Sequence, residues 1–168
     1  MSEIALAADL KISKQEAKNL MDDYFSSFPN IKGLLTALGN YGTRNGFIRT
    51  PAPLRRKRYF PYWKGTDTSS YLMGKIDRAS KNAPIQGFSA DITKIAMVKM
   101  RRFINDNNVR DHIKLFQQVH DQIDSMSIDA WRDDWAKTVT RLMEEAASMC
   151  LGNDLLKTDT EISIKWQK

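Results

Sequence analysis

The sequence has 168 residues, of which 42% are hydrophobic, so it is long enough to bury one substantial core. No apolar run approaches the roughly 20 residues that span a bilayer, and no signal-peptide pattern opens the sequence, so we expect a soluble intracellular protein. The single cysteine, Cys150, excludes an internal disulfide, while the net charge of +6 permits but does not demonstrate binding to a polyanion.

The first part of the sequence predicts a pair of helices. Ser13 and Glu16 have the spacing of a capping box, and apolar residues recur behind them at helical spacing until Pro29. Proline is favoured in the first turn of a helix, so Pro29 is expected to open the second one. The glycine-rich stretch 39–46 is expected to end that helix.

A small basic hairpin is predicted next, with strands near residues 47–50 and 59–61 and an irregular, proline-containing loop between them. Four consecutive cations lie in this region, and four aromatic residues follow closely. The cations are Arg55, Arg56, Lys57 and Arg58. Such a cluster suits phosphate contacts and base stacking, but it is equally typical of a solvated loop. Composition alone leaves both interpretations open.

From about residue 70 the apolar spacing is helical as far as Phe103. Pro84 interrupts this pattern, and it has no N–H to donate to the carbonyl of Ser80. We therefore expect a kink or a break of the helix at Pro84.

A second hairpin is predicted where apolar residues alternate from Ile113 to Val119 and the chain turns near His120 and Asp121. A last helix is expected to begin near Trp131, and alternation at the end of the sequence predicts a terminal strand. The alternating residues are Ile162, Ile164 and Trp166. These elements predict an α+β fold with two parts, residues 1–70 and residues 71–168.

Three stretches resemble, in the same order, the family A DNA polymerases, the group of bacterial DNA polymerase I and many phage replicases. Residues 6–29 are similar to the segment that follows the nucleotide-binding helix of the fingers. Residues 78–92 read RASKNAPIQGFSADI, close to the family pattern R-A-x-x-N-x-P-I-Q-G-x-x-A-D-I, and residues 118–122 read QVHDQ, close to Q-V-H-D-E. The resemblance implies a phage-type polymerase fragment with helices packed on an antiparallel palm sheet and a catalytic hairpin near His120 and Asp121.

The motif in residues 78–92 contains a candidate DNA-binding face. Arg78, Asn82 and Gln86 are four residues apart, so on a helix they project from one side. The resemblance implies that they contact the minor groove of the primer–template near the growing end. Minor-groove acceptors occur on every base pair, so such contacts test duplex shape without selecting sequence. Without the motif, a solvated polar face would be the preferred interpretation.

Asp121 is the candidate catalytic residue and metal ligand, because phosphoryl transfer uses Mg²⁺ held by hard oxygen ligands. The resemblance implies a two-ion Mg²⁺ site whose second aspartate comes from an N-terminal motif that this sequence lacks, and a contact of His120 with the primer terminus. Gln122 replaces the usual glutamate and predicts weaker metal binding through an amide oxygen. Asp124 and Ser125 replace apolar residues, so we expect a more exposed returning strand or an unusual partner for it.

The resemblance implies three partners: primer–template DNA, a deoxynucleoside triphosphate and a second polypeptide with the N-terminal polymerase motifs. On this interpretation the sequence is the C-terminal half of a split polymerase, inactive alone, in the cytoplasm of a bacterium or a phage-infected host. A non-catalytic remnant that binds duplex DNA is the alternative from a different functional class. An expression fragment of a longer enzyme is the third possibility. No membrane partner is expected.

Overall fold

The computed structural model describes residues 3–165 and has the expected α+β class. Two two-stranded sheets accompany the helices, with orders β1-β2 and β3-β4. In chain order the elements are α1 (Glu3–Leu10), α2 (Lys14–Ser27), α3 (Pro29–Asn45), β1 (Phe47–Arg49), β2 (Lys57–Tyr59), α4 (Ser70–Asp106), β3 (Ile113–Val119), β4 (Gln122–Ser127), a short 3₁₀ helix (Asp129–Trp131) and α5 (Arg132–Leu151). None of the helices in this range is long and apolar enough to cross a membrane.

The capping box at the start of α2 is confirmed. The Ser13 side chain accepts a hydrogen bond from the Glu16 amide at 3.2 Å, and the Glu16 carboxylate accepts one from the Ser13 amide at 2.8 Å. Each bond satisfies a backbone donor that the first helical turn would otherwise leave unpaired. Pro29 opens α3 as expected.

Helix α3 ends within the glycine-rich stretch 39–46, as the sequence predicted, but not at its first two glycines. Gly39 and Gly42 lie inside α3, which continues to Asn45, and Gly46 caps it with a left-handed φ of 72°. A Cβ atom on Gly42 would lie 1.8 Å from the Ser80 Oγ, and one on Gly39 would lie 2.1 Å from an Asp77 carboxylate oxygen. These two glycines therefore allow the backbone of α3 to approach the first part of α4.

Helix α4 is continuous through Pro84, so of the predicted kink or break the break is wrong, and the kink stays a prediction. A proline inside a helix removes one backbone hydrogen bond and crowds the preceding turn. Burial on both sides of it opposes that cost, because Ala83 and Pro84 are buried and so are Ile76 before them and Met100 after them. The 37-residue helix is thus stabilised by its packed apolar positions rather than by local propensity.

The contact pattern divides the chain into two compact units. The first comprises Met1–Ile48 with Lys57–Asn82, and the second comprises Arg49–Arg56 with Ala83–Lys168. One boundary between the units falls inside α4, after Asn82. The expected division after residue 70 remains a prediction.

The core of the second unit is made by the second part of α4, by α5 and by the hairpin β3–β4. Its buried members are Ala96, Met100, Ile104, Val109, Ile113, Trp135, Val139, Leu142 and Ala146. Cys150 is half-buried at the end of α5, where burial and the nearby Asp91 carboxylate raise the pKa of its thiol.

The predicted terminal strand is wrong for the residues that the structure describes. Ile162 and Ile164 lie in irregular backbone and are exposed, and Trp166 lies outside the described residues. Alternation alone does not make a strand, because an isolated strand has no partner for its backbone groups.

Candidate catalytic hairpin and nucleic-acid interface

The hairpin β3–β4 presents His120 and Asp121 at its tip. The strands are antiparallel, Val119 pairs with Gln122, and the turn between them has only two residues. His120 has a φ of 55°, in the left-handed region that the first position of such a turn requires. The sequence-based prediction of this turn is confirmed in its position.

Asp121 is exposed, and side chains on both sides of its turn make hydrogen bonds. The Gln118 side-chain amide donates to the His120 carbonyl, and the Gln122 side-chain amide donates to the Asp124 carboxylate at 2.6 Å. Each contact links residues on one side of the turn, and the pairing of Val119 with Gln122 joins the two strands next to it.

The residues at the tip fit part of a Mg²⁺ coordination shell and no more. Mg²⁺ takes about six oxygen ligands, and the tip supplies the Asp121 carboxylate and the carbonyl oxygen of the Gln122 amide. Within residues 3–165 no group of three or more His, Cys, Asp or Glu side chains is placed to hold a metal ion. Completing such a site needs ligands from elsewhere.

Ser125, one of the two unusual residues of β4, has a structural partner. The indole N–H of Trp135 donates to the Ser125 hydroxyl at 2.8 Å, and Trp135 is only 4% exposed. Asp124 and Ser125 are half-buried rather than fully exposed. Ser125 of this strand therefore contacts the buried indole, and an unusual partner for the strand stays a prediction.

Replacing Ser125 by alanine should lower the free energy of unfolding by about 1 to 3 kcal/mol, because the buried indole N–H would lose its acceptor. Urea unfolding followed by tryptophan fluorescence measures this change. The matched control is Ser125→Thr, which keeps the hydroxyl and should cost much less. Equal losses for the two variants would show that the hydrogen bond is not the stabilising feature.

The three groove-facing candidates all lie on α4 and are exposed. Arg78 and Asn82 are one helical turn apart in the first unit, and Gln86 lies on α4 within the second unit. The spacing predicted from the sequence is thus the spacing of successive turns of one helix. Contact with DNA stays a prediction for each of them.

The four cations of the predicted basic loop are all exposed but have different surroundings. Lys57 belongs to β2, where its ammonium lies 4.7 Å from the ring centre of Phe47 and 5.6 Å from that of Tyr59. Arg58 is also in β2, while Arg55 has a left-handed φ of 46° in the preceding loop. Arg56 is ion-paired with the buried carboxylate of Asp91.

Sequence reasoning missed Asp91 and Thr50 as members of this region. The Asp91 carboxylate accepts hydrogen bonds from the Arg56 guanidinium and from the Thr50 hydroxyl, the latter at 2.8 Å. One signal was available: Asp91 lies four residues before Ile95, on the apolar side of a predicted helix. A lone carboxylate in that position needs a buried partner.

A separate cleft of about 880 Å³ beside α5 does not belong to this site. It is lined by Lys99, Arg141, Glu144, Glu145 and others, but by neither Asp121 nor the residues of the two motifs. Its charges pair with one another, and the hydrogen bond from Lys99 holds the pKa of Glu145 below its usual value. A choice by concave shape alone would place the functional site in this cleft. The exposed carboxylate in the family motif instead favours the tip of β3–β4.

Comparison with known proteins identifies the family. The family model described as DNA polymerase family A matches residues 1–168. The chain belongs to DNA polymerase family A. It is similar to the family A DNA polymerase I of Caldicellulosiruptor bescii, with 35% identity over 89% of this chain and 17% of the relative. It is also similar to DNA polymerase I of Lactococcus lactis subsp. cremoris, with 31% identity over 99% of this chain and 18% of the relative.

A solved family A structure agrees with the fold. It is the POL domain of Pol1 from M. smegmatis in a complex with DNA primer-template and dNTP, with 32% identity and a TM-score of 0.74. The match covers 86% of this chain and 24% of that one. The chain therefore spans less than a fifth of the length of the curated relatives described above, and it corresponds to part of a family A polymerase domain.

Family membership confirms the resemblance stated from residues 78–92 and 118–122 and agrees with the α+β class. These comparisons concern the family and the fold. The roles of individual residues, including Asp121 and His120, remain predictions.

Proposed function

We propose that this chain supplies part of the active site of a DNA-directed DNA polymerase: a surface for primer–template DNA and one side of the Mg²⁺ site for nucleotidyl transfer. The observation that carries the proposal is the exposed Asp121 carboxylate at a two-residue turn, in a chain that matches family A along its whole length. The solved relative in complex with DNA primer-template and dNTP supports these two partners. The curated relatives of this chain are bacterial, so we place the activity of the chain in the cytoplasm of a bacterium or a phage-infected host.

Each predicted residue has a proposed role. Arg78, Asn82 and Gln86 contact the minor groove, and His120 contacts the primer terminus. Phosphate contacts come from the basic cluster, in which Arg55, Lys57 and Arg58 are exposed cations. Each neutralised phosphate releases counterions, so the affinity for DNA should fall steeply with salt.

Asp121 would hold Mg²⁺, with the Gln122 carbonyl oxygen as a weaker ligand. When bound, the two metal ions of such a site stabilise the attacking and leaving oxygens of the phosphoryl transfer. The hairpin contributes by fixing where the carboxylate lies, and the helix α4 contributes by orienting the duplex. In nucleotidyl transfer the protein forms no covalent intermediate. Its contributions are therefore positioning of the reactants and electrostatic stabilisation.

One carboxylate and one amide oxygen do not complete a two-ion site. We therefore propose that the second aspartate and the cations that hold the triphosphate come from polypeptide outside this sequence, in the same protein or in a second one. In the described part of the chain the sheet β3–β4 has two strands, and the exposed apolar side chains in and directly after it support such a partner. Those side chains are Phe116, Val119 and Met126 in the strands and Ile128 directly after β4.

The isolated 168-residue chain should show no template-directed synthesis, and a polypeptide with the remaining family motifs should restore it. Primer extension with Mg²⁺ and all four nucleotides measures this, and the Asp121→Ala chain mixed with the same partner is the control. Extension by the purified chain alone would contradict the proposal. Tight duplex binding without restored synthesis would favour the alternative, a non-catalytic DNA-binding module.

Size-exclusion chromatography with light scattering gives an independent test of the partner. A stable complex would bury at least about 1,200 Å² in total, and the mixture should elute as one species. If the chain remains monomeric and does not bind the candidate polypeptide, the result would argue against a two-component enzyme.

A further inference from the structure

The carboxylate of Asp91 is buried beneath a basic loop and is fully engaged by it. The Asp91 side chain is 1% exposed, whereas that of its partner Arg56 is 44% exposed. One carboxylate oxygen accepts from the Arg56 Nε, and the other accepts from the Thr50 hydroxyl at 2.8 Å. Both partners lie more than 30 residues before Asp91 in the sequence, at separations of 35 and 41 residues.

Hydrogen bonds between the two partners of Asp91 close the loop 50–56 on itself. The Thr50 amide donates to the Arg56 carbonyl at 2.9 Å, and the Arg56 amide donates to the Thr50 hydroxyl at 3.0 Å. The Thr50 hydroxyl thus accepts from the loop and donates to Asp91. Between these two residues, the Arg55 amide donates to the Pro51 carbonyl at 3.2 Å.

The closed loop holds Arg55 in an unusual backbone conformation. Its φ of 46° lies in the left-handed region, which costs a non-glycine residue free energy that contacts elsewhere must offset. Arg55 is exposed, so its cation faces solvent from a constrained backbone. A constrained, exposed cation suits recognition of a fixed anion such as a backbone phosphate.

Gly87 makes room for this arrangement on α4. Its carbonyl accepts a hydrogen bond from the Arg56 guanidinium at 3.2 Å. A Cβ atom at this position would lie 2.6 Å from the Thr50 methyl carbon. The loop therefore approaches the helix where a larger residue would displace Thr50.

The negative charge of Asp91 distinguishes a direct contribution to DNA binding from a role in holding the loop. A carboxylate beneath a phosphate-binding loop lowers the positive electrostatic potential of the loop. This change by itself weakens DNA binding. Its burial is also costly unless its hydrogen bonds are satisfied. Both costs are explained if the carboxylate is needed to hold the loop.

We propose that Asp91 is a positioning residue for DNA binding: through Arg56 and Thr50 it holds the loop 50–56 so that Arg55 meets a backbone phosphate. In this proposal Arg56 acts by holding the loop and not by contacting DNA. The inference rests on the proposed DNA-binding function.

The test measures binding of the 168-residue chain to a fluorescent primer–template duplex over a range of salt concentrations. Asp91→Asn should weaken binding about tenfold and lower the salt slope by about 1, as Arg55→Ala does when one phosphate contact is lost. The double variant should bind no more weakly than Arg55→Ala alone, because both changes remove the same contact. A general loss of stability would instead add to the effect of Arg55→Ala.

A direct phosphate contact by Arg56 predicts the opposite result. Asp91→Asn would then release Arg56 from its ion pair, and binding would be unchanged or tighter. That outcome, or additive losses in the double variant, would overturn the inference.

Hydrogen exchange without DNA separates this inference from the proposed function. The amides of Arg55 and Arg56 should exchange faster in Asp91→Asn and at the native rate in Arg55→Ala. Thr50→Val is the second variant if Asp91→Asn does not fold, since it removes the bridging hydroxyl with little change of shape. Native exchange rates in both Asp91→Asn and Thr50→Val would overturn the inference. The proposed function would still stand if the native chain binds the duplex. A native chain that binds no duplex would instead overturn the proposed function.

Discussion

On the proposed function, Asp121→Ala in the assembled polymerase should reduce nucleotide incorporation by about a thousandfold, because loss of the proposed metal ligand would remove several kcal/mol of transition-state stabilisation. Affinity for primer–template DNA should change little. Asp121 is exposed at the tip of β3–β4, and its carboxylate makes no hydrogen bond or ion pair within residues 3–165. Single-turnover incorporation and equilibrium DNA binding, measured on the same preparation, give the two numbers.

The control for Asp121→Ala is Asp106→Ala, which removes an exposed carboxylate at the end of α4 and changes the net charge equally. It should leave incorporation near the native rate. Gln122→Glu should be tolerated and should lower the Mg²⁺ concentration needed for half-maximal activity, since a carboxylate replaces an amide. Near-native turnover of Asp121→Ala with Mg²⁺ would show that this aspartate is not the metal ligand.

Gly42→Ala should lower the free energy of unfolding by about 3 kcal/mol, the upper range for overpacking of a well-packed core. The new Cβ would lie 1.8 Å from the Ser80 Oγ and 2.7 Å from the Ser80 Cβ, so α3 and the first part of α4 would have to separate. Rotation of the hydroxyl does not relieve the second contact. Chemical denaturation followed by circular dichroism measures the change.

Gly33→Ala is the matched control on the same helix. Apart from the adjoining backbone of α3, no atom of residues 3–165 would lie within 4 Å of a Cβ at Gly33, so the substitution meets no obstacle there. Alanine is favoured over glycine inside a helix by about 1 kcal/mol, and this variant should be more stable than the native chain. If both variants were equally stable, the close approach of α3 to α4 would be wrong.

Ser80→Ala tests the same contact from the other side. The Ser80 hydroxyl is buried without a hydrogen-bond partner among the described residues. Removing an unsatisfied buried hydroxyl should cost little or even stabilise the fold. In a Ser80→Ala background, Gly42→Ala should be less damaging but still unfavourable, because the Ser80 Cβ contact remains.

The local parts of the fold could be predicted because their determinants are neighbours in sequence. Ser13 and Glu16 are three residues apart, and the capping box that they predict is present. The turn at His120 and Asp121 follows from alternation on each side of two turn residues, and the strands have that register next to the turn. The family motifs are also local, so the chain could be assigned from short stretches.

Predictions failed where a local signal was outweighed by packing. Pro84 predicts a break in any isolated helix, yet α4 continues through it because buried residues on both sides stabilise the helix. Gly39 and Gly42 are equally good signals for a helix end, but in α3 they mark the contact with α4. The alternation at Ile162 and Ile164 had no partner strand and produced no sheet in the described part of the chain.

By itself, the sequence determined the class of the fold, the hairpin that presents Asp121 and the family, since each depends on residues close together along the chain. Only the tertiary structure decided which charged groups are held by a buried partner within the fold. Arg55 and Arg56 are adjacent and chemically alike, yet Arg56 is paired with a buried carboxylate 35 residues away while Arg55 is exposed. No local pattern distinguishes them, because the distinction depends on a contact made only when distant segments pack together.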